Sequence, residues 1–100
     1  MHTHSRTLLV VICEAALERV LVEDVFRFGA HGYTIADVRG GGRGGTREGA
    51  WEADRSIEVK VICDADVAER LAAHLLATYG EHYSVTIYLD EVRVLRPEKF

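Results

Sequence analysis

The chain has 100 residues, 48% of them hydrophobic and 28% charged, with a formal net charge of -4. That length accommodates one core rather than two, the apolar fraction excludes a mainly disordered chain, and the acidic balance excludes binding nucleic acid through the whole surface. No apolar run approaches the roughly 20 residues that cross a bilayer, and the start MHTHSRTLLVVIC has too short an apolar stretch for a signal peptide. The expectation is a single cytoplasmic domain over residues 1–100 with no direct membrane insertion.

In chain order, TLLVVIC (7–13) is a continuous β-branched and leucine run, the pattern of a strand at a sheet centre. From Glu14 the period changes. Leu17, Val20, Leu21, Val25 and Phe28 follow helical spacing, and Gly29 ends that helix. YTIADV (33–38) predicts a strand, followed by the glycine-rich stretch RGGGRGGTREG (39–49), read as part of a flexible loop over about 40–54. SIEVKVIC (56–63) alternates cleanly, with Ile57, Val59 and Val61 on one face and Glu58 and Lys60 on the other. Asp64 is the expected N-cap of a second helix that turns Val67, Leu71 and Leu75 inward and ends near Gly80. The last strand runs from Ser84 to about Leu95, and Pro97 ends it. Its apolar parity flips between Leu89 and Val92, which predicts a bulge or bend near Asp90 and Glu91.

These elements repeat. VVICEAALERVL (10–21) is echoed by VKVICDADVAERLA (59–72), with Cys13 and Cys63 at an offset of 50 and GYTI and SVTI at 52. Two strand–helix–strand halves give an α+β, ferredoxin-like βαββαβ domain, one antiparallel sheet with two helices on one face. The second face of the sheet is apolar along roughly half of each strand, which points to burial in an oligomer. Cys13 and Cys63 read as small buried apolar residues; because they end neighbouring strands, an approach between them is an open alternative, and packing is the preferred reading.

The glycine stretch is the candidate site. Glycines let backbone N–H groups converge on an oxyanion, and arginine adds a permanently charged planar fork. Between Arg39 and Arg47 lie three positive charges and no negative one, in a chain that is acidic as a whole. Arg43 is the first choice for contact with an anionic oxygen, with Gly40, Gly41 and Gly42 supplying N–H groups. Arg39 either joins them or pairs with Asp37 or Glu58. Arg93 and Arg96 on the last strand are further candidates for a phosphate contact, or are ordinary exposed charges. Trp51 either caps a bound ligand or packs the loop, packing being the preferred reading; His74 reads as a helix-surface residue and His82 as a turn residue. His2 and His4 do not make a closed metal site, so no metal is expected.

At these residues the chain resembles the PII signal-transduction proteins. Val38, Arg39, Gly40, Gly42 and Arg43 fit the V-(K/R)-G-x-G-R pattern that leads into that family's long loop, and LDEVRVLRPE (89–98) resembles the basic end of its last strand. The loop here is shorter than usual for the family and contains no tyrosine, and YGEHYSV (79–85) stands where the family carries a second phosphate loop. The resemblance is therefore to the small PII-like proteins linked to inorganic-carbon uptake and carboxysomes. It implies a homotrimer that binds adenine nucleotide, ADP or AMP, in clefts between subunits, with bicarbonate as a further ligand in some members. It also implies a loop that orders over 40–52 to control a partner, a bicarbonate transporter or carboxysome component.

No nucleophile–base pair, paired carboxylates or metal cluster stands out, so no catalytic residue and no cofactor is assigned and the protein is not expected to be an enzyme. Two other readings stay open. An RGG-type nucleic-acid binder would need repeated RGG units with aromatic interleaving and a basic face; RGG occurs at 39–41 and 43–45 with no aromatic between, in a chain of net charge -4. A trimeric relative of the divalent-cation tolerance proteins would share the architecture but leave the glycine–arginine stretch unexplained.

Overall fold

A computed structural model of the chain describes residues 1–42, 45–47 and 55–100. Its elements are strand β1 (His4–Glu14), helix α1 (Glu18–Arg27), strands β2 (Thr34–Val38), β3 (Gly40–Gly42), β4 (Gly45–Arg47) and β5 (Ser56–Cys63), helix α2 (Ala65–Tyr79) and strand β6 (Thr86–Val94). A 3-10 turn at Ala15–Leu17 leads into α1, and another at Pro97–Lys99 follows β6. The main sheet is antiparallel in the order β2-β5-β1-β6, with both helices on one face, the ferredoxin-like βαββαβ arrangement.

Alternation decides the faces. Leu9, Val11 and Cys13 of β1 and Ile57, Val59, Val61 and Cys63 of β5 point to the helices and are buried. Leu17, Leu21 and Val25 on one side and Ala68, Leu71 and Leu75 on the other close over them at helical spacing. Leu71 is 0% exposed, and burying a leucine fully stabilises by about 1.5–3 kcal/mol. Gly29 ends α1 at φ 103°, a left-handed conformation that a Cβ would strain. Gly80 ends α2 without a left-handed φ; there a Cβ would stand 2.5 Å from the Leu76 carbonyl oxygen.

Three expectations are corrected. β6 has no bulge: its register with β1 is continuous from Ile12↔Thr86 to His4↔Val94. Instead the apolar residues change sides. Ile87 and Leu89 stand level with Val11 and Leu9 under the helices, whereas Val92 and Val94 stand level with Arg6 and His4 on the open face. Beyond Leu89 the helix-side surface is a groove lined by Thr7, Ala65, Glu69 and Glu91 at the start of α2, and the buried core does not extend there. Secondly, Cys13 and Cys63 do not approach each other. β1 and β5 are antiparallel, so Cys13 lies level with Ile57 and Cys63 with Thr7, about 20 Å apart along the strands. Both are buried, and neither is in a disulfide.

Thirdly, the expected loop begins as a ribbon, with Gly40↔Arg47, Gly41↔Thr46 and Gly42↔Gly45 in antiparallel register. Asp64 is the N-cap of α2 as expected, although its side chain makes no capping bond; its carboxylate lies 3.6 Å from Arg6 Nε, and its carbonyl accepts the Ala68 N–H. Trp51 lies outside the described residues, as does the rest of the 48–54 stretch.

The open face of the sheet carries Leu8, Val10 and Ile12 of β1, Ile62 of β5 and Tyr88, Val92 and Val94 of β6, placed there by register. Val10 is 1% exposed with no helix over it, while Tyr88 beside it is 47% exposed. Among the described residues no helix is long and apolar enough to cross a membrane.

Candidate functional site

The site starts where β2 stops. Val38 is the last residue paired with β5, opposite the buried Ser56. Arg39 follows, exposed, and the chain continues into the β3–β4 ribbon. A two-stranded ribbon leaves the outward N–H groups of each strand without a ladder partner. Neither Gly40 nor Gly42 adopts a left-handed φ, and a Cβ added at either would meet nothing within 4 Å. The fold's own packing therefore does not call for glycine at these two positions. A molecule approaching the backbone closely would.

The charges beside the ribbon are distributed unevenly. Asp37 Oδ1 accepts a hydrogen bond from Arg55 Nη2 at 2.8 Å, and Glu58 pairs with Lys60 at 3.4 Å. Both carboxylates that Arg39 might have used are thus engaged. Arg39 itself has no hydrogen-bond or ion-pair partner among the described residues. Arg55 is held in place through its backbone as well, since its carbonyl accepts the Ala15 N–H at 2.9 Å. Sequence reasoning missed Arg55, whose one visible signal is its position immediately before the third long strand. Arg43, the first choice from sequence, lies outside the described residues.

Arg93 and Arg96 lie at the other end. Val38 is level with Ser56, Glu14 and so with the start of β6, while Arg93 is level with Ser5. The two arginine groups are separated by about 30 Å along the strands and by the width of the sheet. One anion cannot touch both within a single protomer. Arg93 has no hydrogen-bond or ion-pair partner among the described residues, and Arg96 Nε lies 3.4 Å from Glu98 Oε1. Arg6 braces this end: its guanidinium donates to the Ser5 and Pro97 carbonyls and sits beside Asp64.

A second polar group joins the helices. Asp24, 8% exposed, accepts from Arg27 Nη2 at 3.0 Å and meets His74 Nε2 at 3.1 Å; Thr78 Oγ1 lies 3.4 Å from His74 Nδ1. His74 is therefore an interhelical contact, stacked 4.9 Å from Phe28, and not the surface residue that its helical position suggested. Burial, followed by the charge of Asp24 and a hydrogen bond to it, raises the Tyr79 pKa. Burial, followed by Asp64 and Asp66, pushes the Cys63 thiol up to about 11. Neither group faces the ribbon. Among the described residues no three His, Cys, Asp or Glu side chains are grouped to hold a metal ion.

The whole chain, ribbon included, has known counterparts. The family model described as nitrogen regulatory protein P-II matches residues 6–99. A Thermus thermophilus protein described as PII-like and signaling is 38% identical; the match covers 100% of this chain and 99% of that one, with a TM-score of 0.86. CPII from Thiomonas intermedia, a nitrogen regulatory PII-like protein solved with ADP, AMP and bicarbonate bound, is 25% identical over 99% of this chain and 96% of that one, with a TM-score of 0.89. A Shewanella baltica protein of the DUF3240 family shares the fold at 17% identity, covering 89% of each chain with a TM-score of 0.66. No curated protein matches the sequence.

Proposed function

The chain belongs to the nitrogen regulatory protein P-II family, and from that premise we propose that it is a PII-like regulator, not an enzyme, that senses adenine nucleotide. One observation carries the reading. Arg39, exposed and without a partner among the described residues, stands at the root of a glycine ribbon whose Gly40 and Gly42 the fold itself does not require. The ligand is ADP or AMP, with bicarbonate as a further effector. CPII was solved with ADP, AMP and bicarbonate bound, which supports this choice.

The cleft lies between subunits of a homotrimer. Arg39, Gly40, Gly41, Gly42 and Arg43 approach the anion from one subunit, and Arg93 and Arg96 from the next. Two features favour the shared cleft: the separation of the two arginine groups within one chain, and the apolar open face, which a second copy would cover. Residues 1–100 act as a single domain in the cytoplasm. Ligand binding orders the 40–52 loop and changes the surface offered to a partner in inorganic-carbon metabolism, such as a bicarbonate transporter or carboxysome component.

Calorimetric titration with AMP, ADP and ATP, each with and without bicarbonate, tests the reading. Binding of ADP or AMP in the micromolar range, altered by bicarbonate, is the expected result. No heat and no thermal shift with any of the three would overturn it.

A further inference from the structure

Arg39 lacks a partner among the described residues because another arginine occupies its neighbour. Asp37 lies two residues before Arg39 on an extended segment, within reach of a guanidinium, and its carboxylate is 73% exposed. Left alone, it would attract Arg39 and also repel an approaching anion. Arg55 engages Asp37 Oδ1 at 2.8 Å and offsets its charge, from a backbone anchored to Ala15 in the 3-10 turn before α1. The same strand geometry that pairs Val38 with Ser56 brings residues 37 and 55 together across the base of the intervening segment.

We propose that Arg55 is a positioning residue for the anion site: by engaging Asp37 it keeps the Arg39 guanidinium available to a phosphate or carboxylate oxygen. The inference rests on nucleotide binding at Arg39 as proposed above. It assigns no ligand contact to Arg55. It also differs from a purely mechanical role, in which the Asp37–Arg55 bond simply clasps the two stems of the ribbon. A clasp fails equally whichever partner is removed, whereas a guard of Arg39 is needed only while Asp37 is charged.

The experiment is ADP titration of the full chain at low salt, comparing the wild type with Arg55→Gln, Asp37→Asn and the double variant. Guarding one exposed charge pair corresponds to about threefold in affinity. We expect Arg55→Gln to weaken binding by that factor, Asp37→Asn to leave it unchanged or tighter, and the double variant to recover it. In an Arg39→Gln background, Arg55→Gln should then have no further effect. Equal losses in Arg55→Gln and Asp37→Asn without recovery in the double variant would establish the clasp and overturn the proposal. So would an Arg55→Gln effect that persists without Arg39, which would mark a general field. If the wild type binds no nucleotide, the reading of function fails first. If it binds and Arg55→Gln is silent, only the present inference fails.

Discussion

The helix-covered core and the Arg39–Gly42 root are built on opposite terms. In the core every position is fixed by its neighbours: Leu9, Ile57 and Leu71 are 0% exposed, and the alternation of two strands meets the spacing of two helices. At the root, Gly40, Gly41 and Gly42 are exposed, Arg39 contacts no described polar group, and added Cβ atoms at Gly40 and Gly42 would meet open space. The core's residues are accounted for by packing within the chain. Those of the root find no such reason among the described residues.

On that contrast, changes in the core should cost stability and changes at the root should cost binding. The largest expected effect is Leu71→Ala, which leaves a cavity under α2 and should lower the unfolding free energy by about 2–5 kcal/mol in denaturant titration. ADP affinity measured on the protein that remains folded should not change. A stability loss below about 1 kcal/mol would show that the core there can collapse around the gap.

Next in size is the Cys63 thiol, whose pKa is pushed up from 9.0 to about 11. At any pH below both values its thiolate should be about a hundredfold scarcer than in the unfolded chain, so alkylation of the native protein should be correspondingly slow. Because the folded state holds this proton more tightly, its contribution to stability is complete below pH 9.0 and is lost as the pH rises toward about 11. Alkylation of native protein as fast as that of urea-unfolded protein would show that Cys63 is accessible.

Arg39→Ala comes third. It should weaken ADP by more than tenfold, about 1.5–3 kcal/mol, because a charge-assisted contact is removed; Arg43→Ala should behave alike. The thermal midpoint of ligand-free protein should stay where it is. Unchanged affinity would remove either arginine from the site. The smallest effect is Gly40→Ala, with a stability change within about 0.5 kcal/mol. If the backbone at Gly40 approaches the ligand, the same variant should nonetheless reduce ADP affinity, which the same titration reads.

Much of the fold was legible because its signals are local. The alternation of 56–63 marked its strand bounds, and the repeat offset marked two matching halves. What local signals missed depended on which segments meet. The parity flip in the last strand looked like a bulge, because a sequence does not show that the surface over Glu91 is the polar start of α2. The two cysteines looked adjacent, because ending neighbouring strands brings residues together only when the strands are parallel. His74 looked solvent-facing until Asp24 of the other helix was placed opposite it.

The sequence by itself determined the periodicities: which residues alternate into a buried face, where glycine ends a helix, and where arginine and glycine concentrate in an acidic chain. These follow from the chemistry of each side chain and its near neighbours. Only the tertiary structure decided that Arg55 takes Asp37 and that Arg39 is left over among the described charges, whereas the Lys60–Glu58 pair is local to one strand. Ion pairing among competing charges is settled by distance across strands, and pairing register sets that distance.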